Sequence, residues 1–177
     1  MKVNKLSLVM LSALSLAAGS AMAADAPAQA LLQWTGYVGG TFNSSTIGLT
    51  GQGGGEIQDG LLSVEDTGEF VSERAIVVEA HPLEADGVTL DKVNFYEGEV
   101  NWNISGVSVN NAAYDVANLA FQINGTDYVS GTPFSTSGSD NSVGVTVAYS
   151  DTPTGVNPGD AVQVAATILA EAVITAP

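Results

Sequence analysis

The chain contains no cysteine, one histidine and only four basic residues among its 177. The absence of cysteine excludes disulfide bonds and every zinc site built on thiolates. Four lysine and arginine side chains are too few to neutralise the phosphates of a nucleic-acid partner, which excludes that class of ligand. His81 has no second histidine with which to bind a metal ion or share catalysis, so we expect it to be a structural residue near a strand end.

Long hydrophobic runs are also scarce, and the first one has the pattern of a secretion signal. Lys2 and Lys5 precede a short apolar segment over residues 6–18, and Ala21-Met22-Ala23 follows it. A basic start, a short apolar stretch and an A-x-A ending are the three parts of a signal peptide. The segment is shorter than the roughly 20 residues that span a bilayer. We therefore predict a signal peptide over residues 1–23, export, and no transmembrane segment in the mature chain.

Removal of residues 1–23 strips two of the four basic residues and none of the nineteen acidic ones. The mature chain then carries a formal charge of −17. Such a chain repels itself and anionic surfaces, which favours solubility outside the cell.

Alternating apolar and polar residues predict strands throughout the mature chain, with Gly, Asn, Asp and Ser between them. Asn124-Gly125 has the composition of a two-residue hairpin loop, and residues 111–116 suggest a single helical turn. The predicted fold class is an all-β antiparallel sandwich of about seven to nine strands. The candidate strands cover residues 61–64, 70–80, 93–104, 119–123, 143–149 and 162–175.

Possible chemical sites are few, and each has a structural alternative. Gly51-Gln52-Gly53-Gly54-Gly55 resembles a phosphate loop but lacks the Lys-Ser/Thr pair and the helix that would follow, which favours a mobile hairpin loop. Glu97 and Glu99 have the residue types of a glycosidase pair, but their i, i+2 spacing places both on one wet strand face. We predict no enzyme activity, no catalytic residue, no metal ligand and no cofactor.

Two binding functions stay open as the alternative. Trp34 and Trp102 suit either a sugar-stacking surface or a core. The acidic segments at Asp140-Asn141 and at residues 151–160 offer oxygen ligands for calcium, without the spacing of an EF-hand loop. Either site would make the protein a monomeric secreted β-sandwich module that binds carbohydrate or calcium.

The mature N-terminus resembles that of bacterial fimbrial subunits. The motif is Leu32-Gln33-Trp34-Thr35-Gly36-Tyr37-Val38, preceded by Ala28-Gln29-Ala30, and the chain closes on a long alternating strand with no helix after it. The likeness is greatest to cysteine-free pilins of the donor-strand-exchange (chaperone–usher) type, such as common-pilus or colonisation-factor major subunits. Ile174-Thr175-Ala176-Pro177 stands where many such subunits have a near-terminal tyrosine.

The resemblance implies an immunoglobulin-like sandwich over residues 39–177 that lacks its final strand. A periplasmic chaperone would fill the groove first, and the arm of the next subunit, residues 24–38, would then replace the chaperone strand. An outer-membrane usher would be a further partner. The arm residues facing inward would be Ala28, Ala30, Leu32, Trp34, Gly36 and Val38. The groove would be bordered by Val162, Val164, Ala166, Ile168, Ala170 and Ile174.

The function that follows is the structural subunit of a cell-surface filament (a pilus, or fimbria) for adhesion or biofilm formation. Its partners would be further copies of itself, that assembly machinery, and a host or surface receptor.

Overall fold

The computed structural model describes residues 46–173, which form ten β-strands and two 3₁₀ turns and contain no α-helix. The prediction of an all-β fold is confirmed. The predicted signal peptide and arm lie outside the described residues. The strands are β1 Ile47–Thr50, β2 Leu62–Val64, β3 Phe70–Ser72, β4 Ile76–Pro82, β5 Val100–Val109, β6 Leu119–Ile123, β7 Thr126–Asp127, β8 Phe134–Thr136, β9 Ser142–Tyr149 and β10 Val164–Ala172.

Seven strands form one antiparallel sheet, the large sheet, and the other three form the small sheet in the order β10-β5-β8. Strand β9 is central in the large sheet, because its Val145 pairs with Ile123 of β6 on one side and with Ile76 of β4 on the other. Strand β7 lies beyond β6. On the opposite side β1 lies beyond β4, and β2 lies beyond β3, which also pairs with β9.

The main core lies between the two sheets. The large sheet contributes β-branched and small side chains, and the small sheet contributes three alternate residues of β5. Alternate residues of a strand point to the same face, which is why the apolar positions of β5 are two apart. The buried members are Ile47, Val78, Ala80, Ile123 and Val143 of the large sheet and Val100, Trp102 and Ile104 of the small sheet.

A second, aromatic cluster contains two strand residues of the large sheet and one loop residue. Phe70, Tyr114 and Tyr149 are all buried, with ring centroids 5.0–5.8 Å apart. The Tyr114 hydroxyl donates a hydrogen bond of 2.8 Å to the carbonyl of Gly68. This bond satisfies the polar end of a buried ring, as such rings require.

The predicted strand bounds agree best with the structure at β6 and β9. The predicted strand over residues 119–123 matches β6, and β9 adds one residue to the predicted 143–149. Asn124-Gly125 is the two-residue loop from β6 to β7, with φ of 51° and 75°. Both values lie in the left-handed region that a type I′ turn requires, so the hairpin prediction is confirmed.

Two other predicted strands are wrong in extent. The segment 70–80 is interrupted after Ser72, and its halves, β3 and β4, pair with different stretches of the same side of β9. The break falls at Glu73 and Arg74, both exposed, where the Glu73 amide bonds instead to the carbonyl of Leu61.

The predicted helical turn at 111–116 is also displaced, because Asp115 caps a 3₁₀ turn over Val116–Asn118.

The predicted strand over residues 93–104 begins only at Val100. Side chains take up several backbone groups of the preceding segment, and the Tyr96 amide donates to the carbonyl of Ala80 in β4. The Asp91 carboxylate accepts from the amides of Val93 and Asn94, and the Asn141 side-chain amide donates to the carbonyls of Tyr96 and Gly98.

Candidate functional site

The structure describes five of the predicted groove residues. Val162 lies just before β10, and Val164, Ala166, Ile168 and Ala170 lie on it. The other predicted groove residue, Ile174, and all the predicted arm residues lie outside the described part: Ala28, Ala30, Leu32, Trp34, Gly36 and Val38.

Strand β10 lies at the margin of the small sheet, and within residues 46–173 it pairs with β5 alone. On that paired side, the carbonyl of Gln163 accepts from Asn110 at 3.0 Å, and the amide of Val173 donates to Glu99 at 2.8 Å. Successive residues of an antiparallel strand direct their backbone groups to opposite sides. The even-numbered residues between these two therefore turn their N–H and C=O groups away from β5. We call this row the open edge: Val164, Ala166, Ile168, Ala170 and Ala172.

The open edge is unusual in this fold for its length. β10 has nine residues, whereas the marginal strands β1, β2, β7 and β8 have four, three, two and three. Proteins commonly protect a marginal strand by keeping it short or by placing lysine or proline on it. β10 contains neither residue, and Glu171 is its one charge. Within residues 46–173, the strand therefore has none of these protections on its open edge.

The side chains beside the open edge are apolar and incompletely covered. Ile168, Ala170 and Ala172 pack against the main core, and Val162 and Val164 pack against the aromatic cluster, but all five are only half-buried. On the neighbouring strand β5, the inward residues Val100 and Trp102 are completely buried. Among the described residues, the cover of the apolar side chains beside the open edge is thus incomplete.

A β-bulge divides the open edge. Gly106 and Val107 of β5 stand opposite the single residue Ala166, which is exposed. Gly106 has a φ of 59°, a conformation that glycine adopts most readily. Val162 and Val164, before Ala166, pack against the aromatic cluster. Ile168, Ala170 and Ala172, after Ala166, pack against the main core.

The glycine-rich segment is anchored by an internal carboxylate. Gly53 and Gly54 donate their amides to the two oxygens of Glu79, at 2.9 and 3.0 Å, and Glu79 is buried. His81, also buried, is the next-to-last residue of β4, with Nε2 3.3 Å from Glu79 and Nδ1 2.8 Å from the carbonyl of Asn94. The predicted mobile loop is therefore tied down by its own chain, which supplies the anion that the loop amides contact.

The loop after β4 contains two consecutive copies of one five-residue pattern, which the sequence interpretation missed. Asp86 accepts from the amides of Val88 and Thr89, and Asp91 does the same for Val93 and Asn94. Hydrogen bonds from the Thr89 and Asn94 side chains, followed by those from the backbone amides, lower the pKa values of the two carboxyls. The valine of each copy is held at the surface.

The other chemical possibilities gain no site in the described region. Trp102 is fully buried and donates its Nε1–H to Thr136, so it offers no ring face to a sugar. Glu97 and Glu99 are both exposed. In residues 46–173, no three acidic or histidine side chains come close enough together to hold a metal ion.

Comparison with known proteins adds no relative. No known protein family, no curated protein and no solved structure matches this chain. Over residues 46–173, no helical segment has the length and apolar character needed to cross a membrane. The feature of the described chain with the clearest capacity for recognition is the open edge of β10.

Proposed function

We propose that this protein is the structural subunit of an extracellular bacterial filament, in which each copy donates residues 24–38 to the open edge of the next. The observation that carries the proposal is that edge: a nine-residue marginal strand, unpaired on one side among the described residues and bordered by half-buried apolar side chains. Strand addition uses both features, because the backbone provides hydrogen bonds while alternate side chains fill pockets.

The energy available to a donated strand has two sources. The five residues of the open edge present ten backbone groups, and each hydrogen bond contributes about 1 kcal/mol net. Ten such bonds contribute about 10 kcal/mol. This is comparable with the cost of immobilising two chains, about 4–15 kcal/mol. Affinity must therefore come mainly from apolar contacts. Trp34 and Leu32 carry the largest apolar area on the inward side of the arm, at about 25 cal/mol per Å² buried.

The geometry of donation determines the assembly. A contact between an arm and a groove joins two different surfaces, and such head-to-tail contacts generate filaments when they do not close into a ring. Under this proposal the filament lies on the cell surface and serves adhesion or biofilm formation. A periplasmic chaperone covers the open edge during export, an outer-membrane usher assembles the subunits, and a surface receptor is the target of adhesion.

The open edge predicts a selective effect of proline. The amide of Ala170 faces away from β5, so Ala170→Pro removes a hydrogen bond only from the incoming strand. The amide of the adjacent Leu169 faces β5, and Leu169→Pro therefore breaks the existing sheet. We expect mature Ala170→Pro to retain most of its melting temperature but to form no fibres by negative-stain microscopy. Leu169→Pro should lose stability.

A peptide experiment tests the arm directly. A peptide covering residues 26–38 should bind the chain lacking residues 24–38 and raise its melting temperature by mass action. The Trp34→Asp peptide should not bind, whereas Thr35→Asp, at an outward position, should bind as the unaltered peptide does. Equal binding of all three peptides, or fibre formation by the truncated chain, would leave the monomeric binding module as the better account.

A further inference from the structure

Strand β4 carries two buried ionisable residues on the face that points away from the main core. Its core-facing residues are two apart, and Glu79 and His81 occupy the alternate positions, with exposed fractions of 5% and 1%. The glycine-rich residues 51–55 contact Glu79, and the ring of Phe95 stacks on that of His81 with centroids 5.3 Å apart. Buried ionisable side chains need hydrogen-bonding partners, and the partners of this pair indicate where its hydrogen atoms lie.

Both ring nitrogens of His81 face oxygen atoms. Nδ1 lies 2.8 Å from the carbonyl oxygen of Asn94, and Nε2 lies 3.3 Å from a carboxylate oxygen of Glu79. A carbonyl oxygen only accepts, so Nδ1 carries a hydrogen atom. If that were the only ring hydrogen, the lone pair of Nε2 would face the Glu79 carboxylate, and two acceptors would meet in a buried place. A second hydrogen atom is therefore required between Nε2 and Glu79.

The partners of Glu79 are those of an ionised carboxylate. The amide of Gly53 donates to Oε1 at 2.9 Å, and the amide of Gly54 donates to Oε2 at 3.0 Å, the same oxygen that faces His81. Backbone amides are typical donors to a charged carboxylate. The second hydrogen atom therefore belongs on Nε2, which makes His81 an imidazolium paired with an anionic Glu79.

The charges around His81 are mostly negative. Strand β1 places the uncharged Gly48 opposite His81, and residues 51–55 carry no charged side chain. The charged residues of the neighbouring segments are Glu79 on β4, Asp91 and Lys92 in the loop after β4, and Asp140 before β9. A hydrogen bond from the Asn94 side chain is the largest cause that lowers the pKa of the Asp91 carboxyl, and the charge of His81 is a smaller one. Three carboxylates and one ammonium group favour a positive charge on the ring.

The pair joins two loops to β4. Glu79 accepts from residues 53 and 54 of the glycine-rich segment, and His81 donates to Asn94 of the loop after β4. The two loops also lie against each other, because a Cβ on Gly54 would lie 2.6 Å from the carbonyl oxygen of Lys92. Loss of the second hydrogen atom would leave two buried acceptors 3.3 Å apart, and that contact would have to open.

We propose that Glu79 and His81 form a proton-dependent clasp, which holds the glycine-rich segment and the loop after β4 while His81 carries both ring hydrogens and releases them when it loses one. An imidazolium ordinarily loses a hydrogen ion near about pH 6.5. The ion pair forms only in the folded chain, so its contribution to stability is present below that pH and is lost as the pH rises. Every contact lies within one copy, so the clasp does not depend on filament assembly.

Nitrogen NMR of the mature chain tests where the hydrogen atoms lie, because its one histidine gives a single pair of ring signals. In an imidazolium both nitrogens carry hydrogen and their signals lie close together, whereas in a neutral ring only one does and the signals lie far apart. We expect close signals at about pH 6 and separated signals at about pH 8.5. Over that range the amides of Gly53 and Gly54 should lose about tenfold in protection from hydrogen exchange. The amide of Asn110, which donates to Gln163, should keep its protection.

A matched variant separates the clasp from general effects of charge. Glutamine does not titrate, so His81→Gln keeps an N–H donor for Glu79 at every pH. The wild-type melting temperature should fall by about 4–8 °C from about pH 6 to about pH 8.5, and that of His81→Gln by less than about 2 °C. Equal falls in the two proteins, or widely separated nitrogen signals in the wild type at about pH 6, would overturn the clasp and leave the proposed function intact. If His81→Gln does not fold, the wild-type nitrogen signals and glycine protection decide the outcome.

Discussion

Asn141 joins three separate parts of the chain, and its replacement by alanine should be strongly destabilising. Asn141 is completely buried. The amide nitrogen donates to the carbonyls of Tyr96 and Gly98, the latter at 2.6 Å, and the amide oxygen accepts from the Thr136 hydroxyl. Thr136 in turn accepts the Nε1–H of Trp102 at 2.8 Å. One side chain thus fixes the segment before β5 to strand β8.

The size of the effect follows from these bonds. Asn141→Ala leaves two carbonyls and one hydroxyl short of a partner, and each lost bond to a buried group costs about 1–1.5 kcal/mol. The total is about 3–5 kcal/mol, a large part of the 5–15 kcal/mol that stabilises a typical domain. For a domain of this size the melting temperature should fall by about 10–15 °C.

Urea unfolding of the mature chain measures this prediction, with Asn118→Ala as the matched control. Asn118 is exposed and makes one side-chain bond, of 2.7 Å, to Asp151. The control should change the free energy of unfolding by no more than about 0.5 kcal/mol. A loss below about 1 kcal/mol for Asn141→Ala, with an unchanged m-value, would show that this amide does not organise the core.

The remaining predictions concern buried ionisable groups. Glu79→Ala leaves the amides of Gly53 and Gly54 without their acceptor, so urea unfolding should show a loss of about 3–5 kcal/mol in the free energy of unfolding. The control Glu84→Ala, at an exposed position, should change that free energy by no more than about 0.5 kcal/mol. Equal losses in the two variants would contradict the anchoring role of Glu79. Burial raises the pKa of Tyr114 above its ordinary value of 10.0. The resulting stability is present below about pH 10 and is lost as pH rises through the folded-state pKa. Unfolding free energies measured from about pH 9 to about pH 11 should fall, and less steeply for Tyr114→Phe; parallel curves would contradict this assignment.

Local sequence patterns are enough to predict the fold class and several strands. Strict alternation predicts β6 and most of β9, and it places Val162, Val164, Ile168 and Ala170 on one face at the end of the described chain. Period-two alternation expresses burial on one side of a sheet, which is a local property. The Asn124-Gly125 turn is equally local, because it needs only two residues that tolerate positive φ.

The open edge of β10 could not be predicted from local sequence patterns. Apolar alternation predicts that 162–175 is a strand, but it does not show that one side of β10 lacks a partner in the described fold. That fact depends on which strands the two sheets bring together. The bulge opposite Ala166 is similar, because it arises from a glycine on β5, some sixty residues earlier.

The partners of the polar residues, by contrast, depend on how the chain folds. Glu79 and His81 break the apolar pattern of β4, and Gly51–Gly55 resembles a loop that binds a foreign phosphate. In the folded chain, that loop and the two polar residues satisfy one another. Residues 93–99 alternate like a strand, yet the side chains of Asp91 and Asn141 take up several of their backbone groups. A buried donor or acceptor must find a partner, and the partner is selected by proximity in space, which alternation along the chain does not encode.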